Sequence, residues 1–357
     1  MFKESKFWNK KKILITGHTG FKGSWLSLML YNFGAKLYGY SLEPKKNDLY
    51  VRAKLKKIYQ KSVYADVMNQ KKFKIFLKSV KPDIIFHLAA EPLVLNSYIN
   101  PKKTFNVNLI GTLNILESIK KIKFPKLVMI ITTDKVYQVK KNNPFYKEND
   151  SLGASDPYGT SKACVEMLCE TYFKSFFANL KIKMSTLRAG NVIGGGDYSS
   201  NRIVPDYLKS LNQKKNLILR NSTFIRPWQY VLEPLYGYIK LAEKEYKNKS
   251  VNYSVWNFAP KKNNSVSVIK LIKYFQNSKY NDYKVKLIKK GNKKKIKETH
   301  VLKLNSKLVE GYLNWKPKYN LKKTVDRILD WNSQVKRNNF FDVSINEVKN
   351  YLKNNLV

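Results

Sequence analysis

Eight residues near the start of the chain constrain its fold more than any other segment. Thr16-Gly17-His18-Thr19-Gly20-Phe21-Lys22-Gly23 places three glycines at G-x-x-G-x-x-G spacing. The segment follows a short apolar run, Lys12–Thr16, and opens an amphipathic stretch, Phe21–Phe33. A strand turning into a helix with no side chains in the turn lets backbone N–H groups approach a pyrophosphate. The helix N-terminus adds favourable partial charge. A glycine triplet alone is weak evidence, but the strand before it and the helix after it make this a candidate dinucleotide loop. Gly17, His18, Thr19, Gly20, Phe21, Lys22 and Gly23 are therefore candidate cofactor contacts.

The rest of the first 190 residues continues the alternation. Lys36–Tyr40, Asp83–Leu88, Lys126–Thr132 and Lys181–Leu187 are short and apolar at consecutive positions, as strands buried on both faces must be. Between them, Thr104–Lys120 and Ser155–Phe177 carry apolar stripes at helical spacing. This predicts an α/β fold: a Rossmann-like, doubly wound parallel sheet with right-handed crossovers. After about residue 190 the alternation weakens, and Gly194-Gly195-Gly196 marks a turn. The expected division is a cofactor-binding domain over 1–190 and a smaller C-terminal, substrate-binding lobe over 191–357, with some elements returning to the first.

Charge points elsewhere at first sight. Lys+Arg number 68 against 25 Asp+Glu, for a formal net charge of +43, which suggests a polyanion partner. Yet only seven of the 68 are arginine and 61 are lysine, dispersed through nearly every segment beside abundant asparagine. That is the mark of an A/T-rich coding bias at solvated positions, whereas nucleic-acid readout favours clustered arginine. An apolar share of 43%, with 24 Tyr and 18 Phe, is enough to fill a core and excludes a disordered polycation. The two cysteines, Cys164 and Cys169, fall in one predicted helix, and the chain has three histidines. No disulfide framework and no metal site are expected. The basic start is followed only by Ile13-Leu14-Ile15 before Thr16, too short for a signal peptide. Apolar runs such as Leu127-Val128-Met129-Ile130-Ile131 fall far below the roughly 18 residues of a membrane span. A cytoplasmic protein with no membrane association is expected.

Two further motifs carry chemistry. Tyr158-Gly159-Thr160-Ser161-Lys162 sets a phenol and an ammonium at i and i+4 on one helix face. A nearby cation draws a phenol's pKa down from about 10, so that the tyrosinate can take a hydroxyl proton. Thr132-Thr133-Asp134-Lys135 lies upstream at a strand's carboxyl end, where open α/β sheets place their ligands. Past the second strand the chain reads Ser41-Leu42-Glu43-Pro44. No acid stands at the strand end, where one normally holds the adenosine ribose of NAD, and Glu43 arrives late. NAD is favoured over NADP.

In this order and spacing, the glycine loop, the strand-end Thr-Asp-Lys and the Tyr-x-x-x-Lys resemble the extended short-chain dehydrogenase/reductase superfamily of sugar-nucleotide enzymes. Thr16–Leu26 (TGHTGFKGSWL), Phe86–Ala90 with Pro92-Leu93-Val94, and Thr132–Lys135 resemble its CDP-glucose 4,6-dehydratase branch. So do Asp156-Pro157-Tyr158, Arg188–Asp197 (RAGNVIGGGD) and Arg226-Pro227-Trp228-Gln229. Leu313-Asn314-Trp315-Lys316-Pro317 resembles the superfamily's LGW-x-P turn. The resemblance implies NAD as cofactor and a nucleotide-sugar as substrate. Tyr158 would deprotonate the sugar 4-hydroxyl as NAD⁺ accepts the C4 hydride. The resulting 4-ketone acidifies C5, water leaves from C6, and the hydride returns to C6, giving a 4-keto-6-deoxy sugar. Thr133 would hydrogen-bond the 4-hydroxyl, Asp134 would protonate the departing C6 hydroxyl, and Lys162 would hold the nicotinamide ribose. Lys135 stands where many 4,6-dehydratases have a glutamate base; it serves as the C5 base only if its pKa is depressed. Asp66, Val67, Leu88, Ala89 and Ala90 would border the cofactor. The resemblance also implies a homodimer formed through Thr104–Lys120 and Ser155–Phe177. A 4-epimerase, a dehydratase of another nucleotide-hexose, and a basic nucleic-acid-binding protein with a vestigial Rossmann lobe remain alternatives. The first shares Tyr158 and Lys162 but lacks an acid after Thr133.

The scarce arginines then become informative. Arg188, Arg202, Arg220 and Arg226 cluster in sequence at the start of the second lobe. Guanidinium forks match phosphate oxygens bidentately where an ammonium does not. Arg202, Arg220 and Arg226, with Asn191, are the expected diphosphate contacts, and Arg188 is the expected structural brace. His87 is expected to be structural, beside the cofactor. Glu91, Leu95-Asn96 and Gln138-Val139 depart from the branch pattern and bear on the choice of substrate.

Overall fold

Three consecutive apolar residues, Ile13-Leu14-Ile15, require cover on both faces of one strand. A computed structural model, describing residues 5–140, 145–219, 221–289 and 301–355, supplies it. The strands run β1 Lys12–Thr16, β2 Lys36–Ser41, β3 Tyr59–Tyr64, β4 Ile84–His87, β5 Leu127–Ile131 and β6 Lys183–Ala189. They continue with β7 Asn191–Ile193, β8 Leu217–Leu219, β9 Ile225–Tyr230, β10 Tyr253–Phe258, β11 Ser265–Ser267 and β12 Leu287–Lys289. Seven of these form one sheet in the order β10-β6-β5-β4-β1-β2-β3, and every neighbouring pair is parallel. The fold is the expected Rossmann-like, doubly wound α/β architecture.

Successive strand residues feed opposite cores, as the period of two demands. Ile13, Ile15, Ile84, Phe86, Met129 and Ile131 join one cluster. Leu14, Ile85, Val128 and Ile130 join the other. The first cluster packs against α1 Phe21–Asn32, and the second against α2 Gln70–Val80, α3 Gly111–Ile122 and α4 Pro157–Tyr172. Beyond β6 the chain builds a three-stranded sheet, β11-β9-β7, and a parallel pair, β8 with β12. α5 Ile203–Gln213 lies in this second half, but β10 returns to pair with β6 in the main sheet. α6 Leu232–Lys247, α7 Val268–Gln276, α8 Leu321–Gln334 and α9 Phe340–Lys353 complete the chain.

Four local features depart from the periodic reading. β3 is an edge strand with burial on its first residue and exposure on the next two, so it lacks the continuous apolar run by which buried strands are recognised. The stretch expected as one helix over 104–120 is broken at Asn106–Ile110 by a π turn. There Asn108 is fully buried and bonds both the Glu91 backbone and Ser161 Oγ; a side chain drawn inward at one point accommodates the extra residue. α4 likewise runs into a π turn, Phe173–Phe177. At the C-terminal Leu-Asn-Trp, Asn314 takes the left-handed position after a short helix with φ +46. Asparagine tolerates that region better than most residues, and Trp315 then packs 5.5 Å from Phe258.

Among the described residues no helix is long and apolar enough to cross a membrane. Cys164 and Cys169 lie in α4 and are both free thiols. Because Ile15 is fully buried in a central strand, Ile15→Ala should lower the unfolding free energy by roughly 2–5 kcal/mol. Denaturant titration with an unchanged slope measures this, and a loss under about 1 kcal/mol contradicts the packing described.

Candidate active site

A parallel sheet delivers the carboxyl ends of its strands to one rim, and here the rim is a cleft of about 970 Å³. β1 contributes Gly17, β2 Ser41, β4 Leu88 to Ala90, β5 Thr132 to Lys135, and β6 Ala189 to Asn191. The order reversal between β1 and β4 sits at its centre, where doubly wound sheets bind ligands.

The glycine loop fits so tightly that its missing side chains are required. Gly17 holds φ +72, and a Cβ there would stand 2.7 Å from the Ala89 backbone nitrogen. A Cβ on Gly23 would meet the Gly17 carbonyl oxygen at 2.2 Å. At Gly20 the nearest atom, the Gly17 carbonyl oxygen, would stand at 3.4 Å, an ordinary contact, so the second glycine is the least crowded of the three. Gly17, Thr19, Gly20, Phe21, Lys22 and Gly23 all line the cleft. The His18 side chain is not among those lining the cleft. It is fully buried beneath the loop, with Nε2 2.7 Å from Ser62 Oγ. Burial lowers its pKa to about 3. The ring occupies space over Gly39, where a Cβ would come within 2.5 Å of it.

Asp66 and Val67 line the cleft beyond β3, and Asp66 Oδ1 accepts from the Met68 N–H at 2.9 Å. Glu43 lines it as well, past Ser41, whose hydroxyl lies 2.8 Å from Thr19 Oγ1. Glu91 also borders the cleft and pairs with Lys103 at 2.9 Å. His87 lies below, between Thr16 Oγ1 at 2.7 Å and Thr112 Oγ1 at 3.0 Å. Burial keeps it neutral, with a pKa near about 3.

At the carboxyl end of β5, Thr133 caps a short turn and donates to Asp134 Oδ1 at 3.1 Å. Asp134 is 2% exposed, and its Oδ2 has no hydrogen-bond partner among the described residues. Burial raises its pKa, against the pull of Lys135, Thr133 and Arg226. Tyr158 enters from the first turn of α4, which Asp156 caps by accepting from the Gly159 N–H at 2.9 Å. Lys162, one turn on, donates to the Ile131 carbonyl at 3.1 Å. Thr133, Asp134, Lys135, Tyr158 and Lys162 thus share one end of the cleft.

The electrostatics differ from the simple expectation of a cation beside a phenol. Burial lifts Tyr158 to about 12, opposed by its hydrogen bond with Thr133 and by the charge of Arg202. Lys162, turned toward the Ile131 carbonyl, is not among these influences, and burial lowers its own pKa to about 8. Lys22 lies over the Tyr238 ring at 5.6 Å. Burial, with the neighbouring cations Lys162 and Arg202, brings it down to about 7.

Of the expected diphosphate contacts, Asn191, Arg202 and Arg226 line the cleft, and Arg220 lies outside the described residues. Arg202 pairs with Asp197 at 3.1 Å. Arg226 is 3% exposed, with its guanidinium 5.1 Å from the Phe224 ring centre. Arg188 is the buried brace expected, bound to Glu166. Sequence reasoning missed Asp197 and Glu166; the one signal for Glu166 was its position one helical turn beyond Lys162. Among the described residues no group of three His, Cys, Asp or Glu is placed to hold a metal ion.

The chain matches the model of the family described as GDP-mannose 4,6 dehydratase over residues 14–328. The CDP-glucose 4,6-dehydratase of Salmonella typhimurium is 36% identical to it over 98% of both chains. Among solved structures, dTDP-glucose 4,6-dehydratase from Bacillus anthracis, in complex with NAD, is similar with a TM-score of 0.72 and 20% identity. That match covers 90% of this chain and 96% of the other. UDP-glucuronic acid 4-epimerase from Bacillus cereus, in complex with UDP-glucuronic acid and NAD, gives 0.77 and 22%, over 91% and 99%. These two likenesses are of fold.

The amines predict a pH-dependent stability. Native Lys22 titrates near about 7, whereas an unfolded lysine titrates near about 10.4. The unfolded chain therefore binds more protons in that interval, and the native charge is destabilising below it. Lys22→Met should raise Tm at pH 6–7, with an advantage that shrinks as pH approaches about 10. Calorimetry across that range checks it; a lower Tm at pH 6 contradicts it.

Proposed function

The chain belongs to the GDP-mannose 4,6-dehydratase family, and on that premise we propose that it is an NAD-dependent nucleotide-sugar 4,6-dehydratase, a hydro-lyase, acting on CDP-glucose. The observation that carries this reading is Asp134. A buried carboxyl whose proton affinity burial raises, beside Thr133 and lining the same cleft as Tyr158, is suited to protonate a departing hydroxyl. A 4-epimerase needs Tyr158 and Lys162 but has no use for that acid.

The loop fits NAD: close backbone approach at Gly17 and at Gly23, and Glu43 past the end of β2. The group supplies reversible hydride transfer, and this chain's residues do the rest. Gly17 to Gly23 bind the pyrophosphate through their backbone, with His18 serving as a buried support. Asp66, Val67 and Leu88 to Ala90 enclose the adenine and ribose side. Lys162 holds the nicotinamide ribose. Tyr158 takes the proton of the sugar 4-hydroxyl, which Thr133 orients, and Asp134 protonates the C6 oxygen as it leaves. Lys135 would take the C5 proton. Arg202 and Arg226, with Asn191, neutralise the diphosphate. Residues 1–190 then serve mainly the cofactor and 191–357 mainly the nucleotide-sugar, with β10 completing the main sheet. Apolar Ile110 and Phe176 in the two π turns and Met167 on α4 are exposed, and they support a homodimer formed through these helices. Two free thiols accord with a cytoplasmic setting.

Purified protein with CDP-glucose and NAD⁺ should yield the 4-keto-6-deoxy product, and turnover on no nucleotide-hexose would refute the reading. Tyr158→Phe should lower kcat by about 10²–10⁴-fold. Lys135→Ala should abolish solvent-deuterium incorporation at C5; normal exchange would remove Lys135 as the base.

A further inference from the structure

Glu166 lies in α4 one turn after Lys162 and two turns after Tyr158, and it is 2% exposed. Its carboxylate accepts from Thr132 Oγ1 at 2.5 Å, Thr186 Oγ1 at 2.5 Å, Arg188 Nε at 3.0 Å and Arg188 Nη2 at 3.1 Å. Four donor contacts converge on this buried side chain, and its removal would leave Arg188 uncompensated. Arg188 reaches on to Tyr137 Oη at 2.8 Å and the Glu148 carbonyl at 2.9 Å, and Tyr137 donates to Asn257 Oδ1 at 2.7 Å. One carboxylate thus ties the ends of β5 and β6 to the helix that carries the catalytic phenol.

The two acidic and basic neighbours on α4 grip consecutive residues of β5. Lys162 donates to the Ile131 carbonyl, and Glu166 holds the Thr132 hydroxyl. Thr133 and Asp134 follow directly. We infer that Glu166 is a positioning residue, fixing the strand end that presents Thr133 and Asp134 and the helix turn that carries Lys162 against it. This rests on the role given to Lys162 above. Burial draws Lys162 down to about 8, and Cys169 and then Glu166 oppose that fall. The other groups facing the pair do not replace it. Lys22 from α1 is a like charge, and His87 from β4 is kept neutral by burial. Tyr253 from β10 is pushed up by burial and stays protonated.

The test follows NAD⁺ affinity by titration calorimetry from pH 6 to 10, together with kcat/KM and Tm. In the wild type, affinity should fall above about pH 8 as Lys162 loses its proton. Glu166→Gln should move that limb down by about one pH unit, since a carboxylate is lost and Arg188 is left unpaired. The double variant Glu166→Gln/Arg188→Met, which removes both charges, should place the limb between the two. If the single variant fails to fold, the double variant carries the test, with a limb below the wild type expected. A lowered Tm with the limb unmoved would show a structural role alone and overturn the inference. Absence of NAD⁺ affinity in the wild type would instead overturn the functional reading.

Discussion

The structure turns on one close passage, where the loop after β1 crosses the end of β4 with Gly17 against the Ala89 backbone. Nothing larger than hydrogen fits there. The passage brings the first turn of α1 over the switch point between β1 and β4, and with it the backbone N–H groups that make an anion site. The parallel sheet does the remainder. Since every neighbouring pair in it runs the same way, the segments after β1, β4, β5 and β6 must emerge at the same rim, and the chemistry-bearing residues follow them.

The cleft is strongly cationic and only partly screened. Lys22, Lys162, Arg202 and Arg226 face Asp134 and Tyr158 across it. Crowded cations with poor access to water lose proton affinity, and Lys22 and Lys162 are drawn down together. The same crowding suits a small dianionic ligand. The formal charge of +43 is therefore two populations: a dispersed lysine majority at solvated positions, and a few cations whose placement is specific.

Legibility in the sequence tracked how local each signal was. β1, β2, β4, β5 and β6 were readable because a strand covered on both faces must be apolar at every position. β3, at the sheet edge, obeys no such rule and left no run to find. The glycine loop and the Tyr158–Lys162 spacing are contiguous motifs and lay open to reading. His18 sat within the loop motif, yet its ring goes to Ser62, a residue remote in sequence whose position only β3 decides. Glu166 carried a faint signal, its helical phase with Lys162, but its meaning depends on Thr132, Thr186 and Arg188 from two different strands.

The sequence by itself determined the alternation of strands and helices, the dinucleotide loop and the identities of the acid, phenol and amine, because each is written in residues near one another along the chain. Tertiary structure alone decided which of them share a cleft end, how far burial moves their proton affinities, and that Arg188 braces while Arg202 and Arg226 face the ligand space. Desolvation and Coulomb coupling depend on distances between elements, and those distances exist only once the sheet has formed.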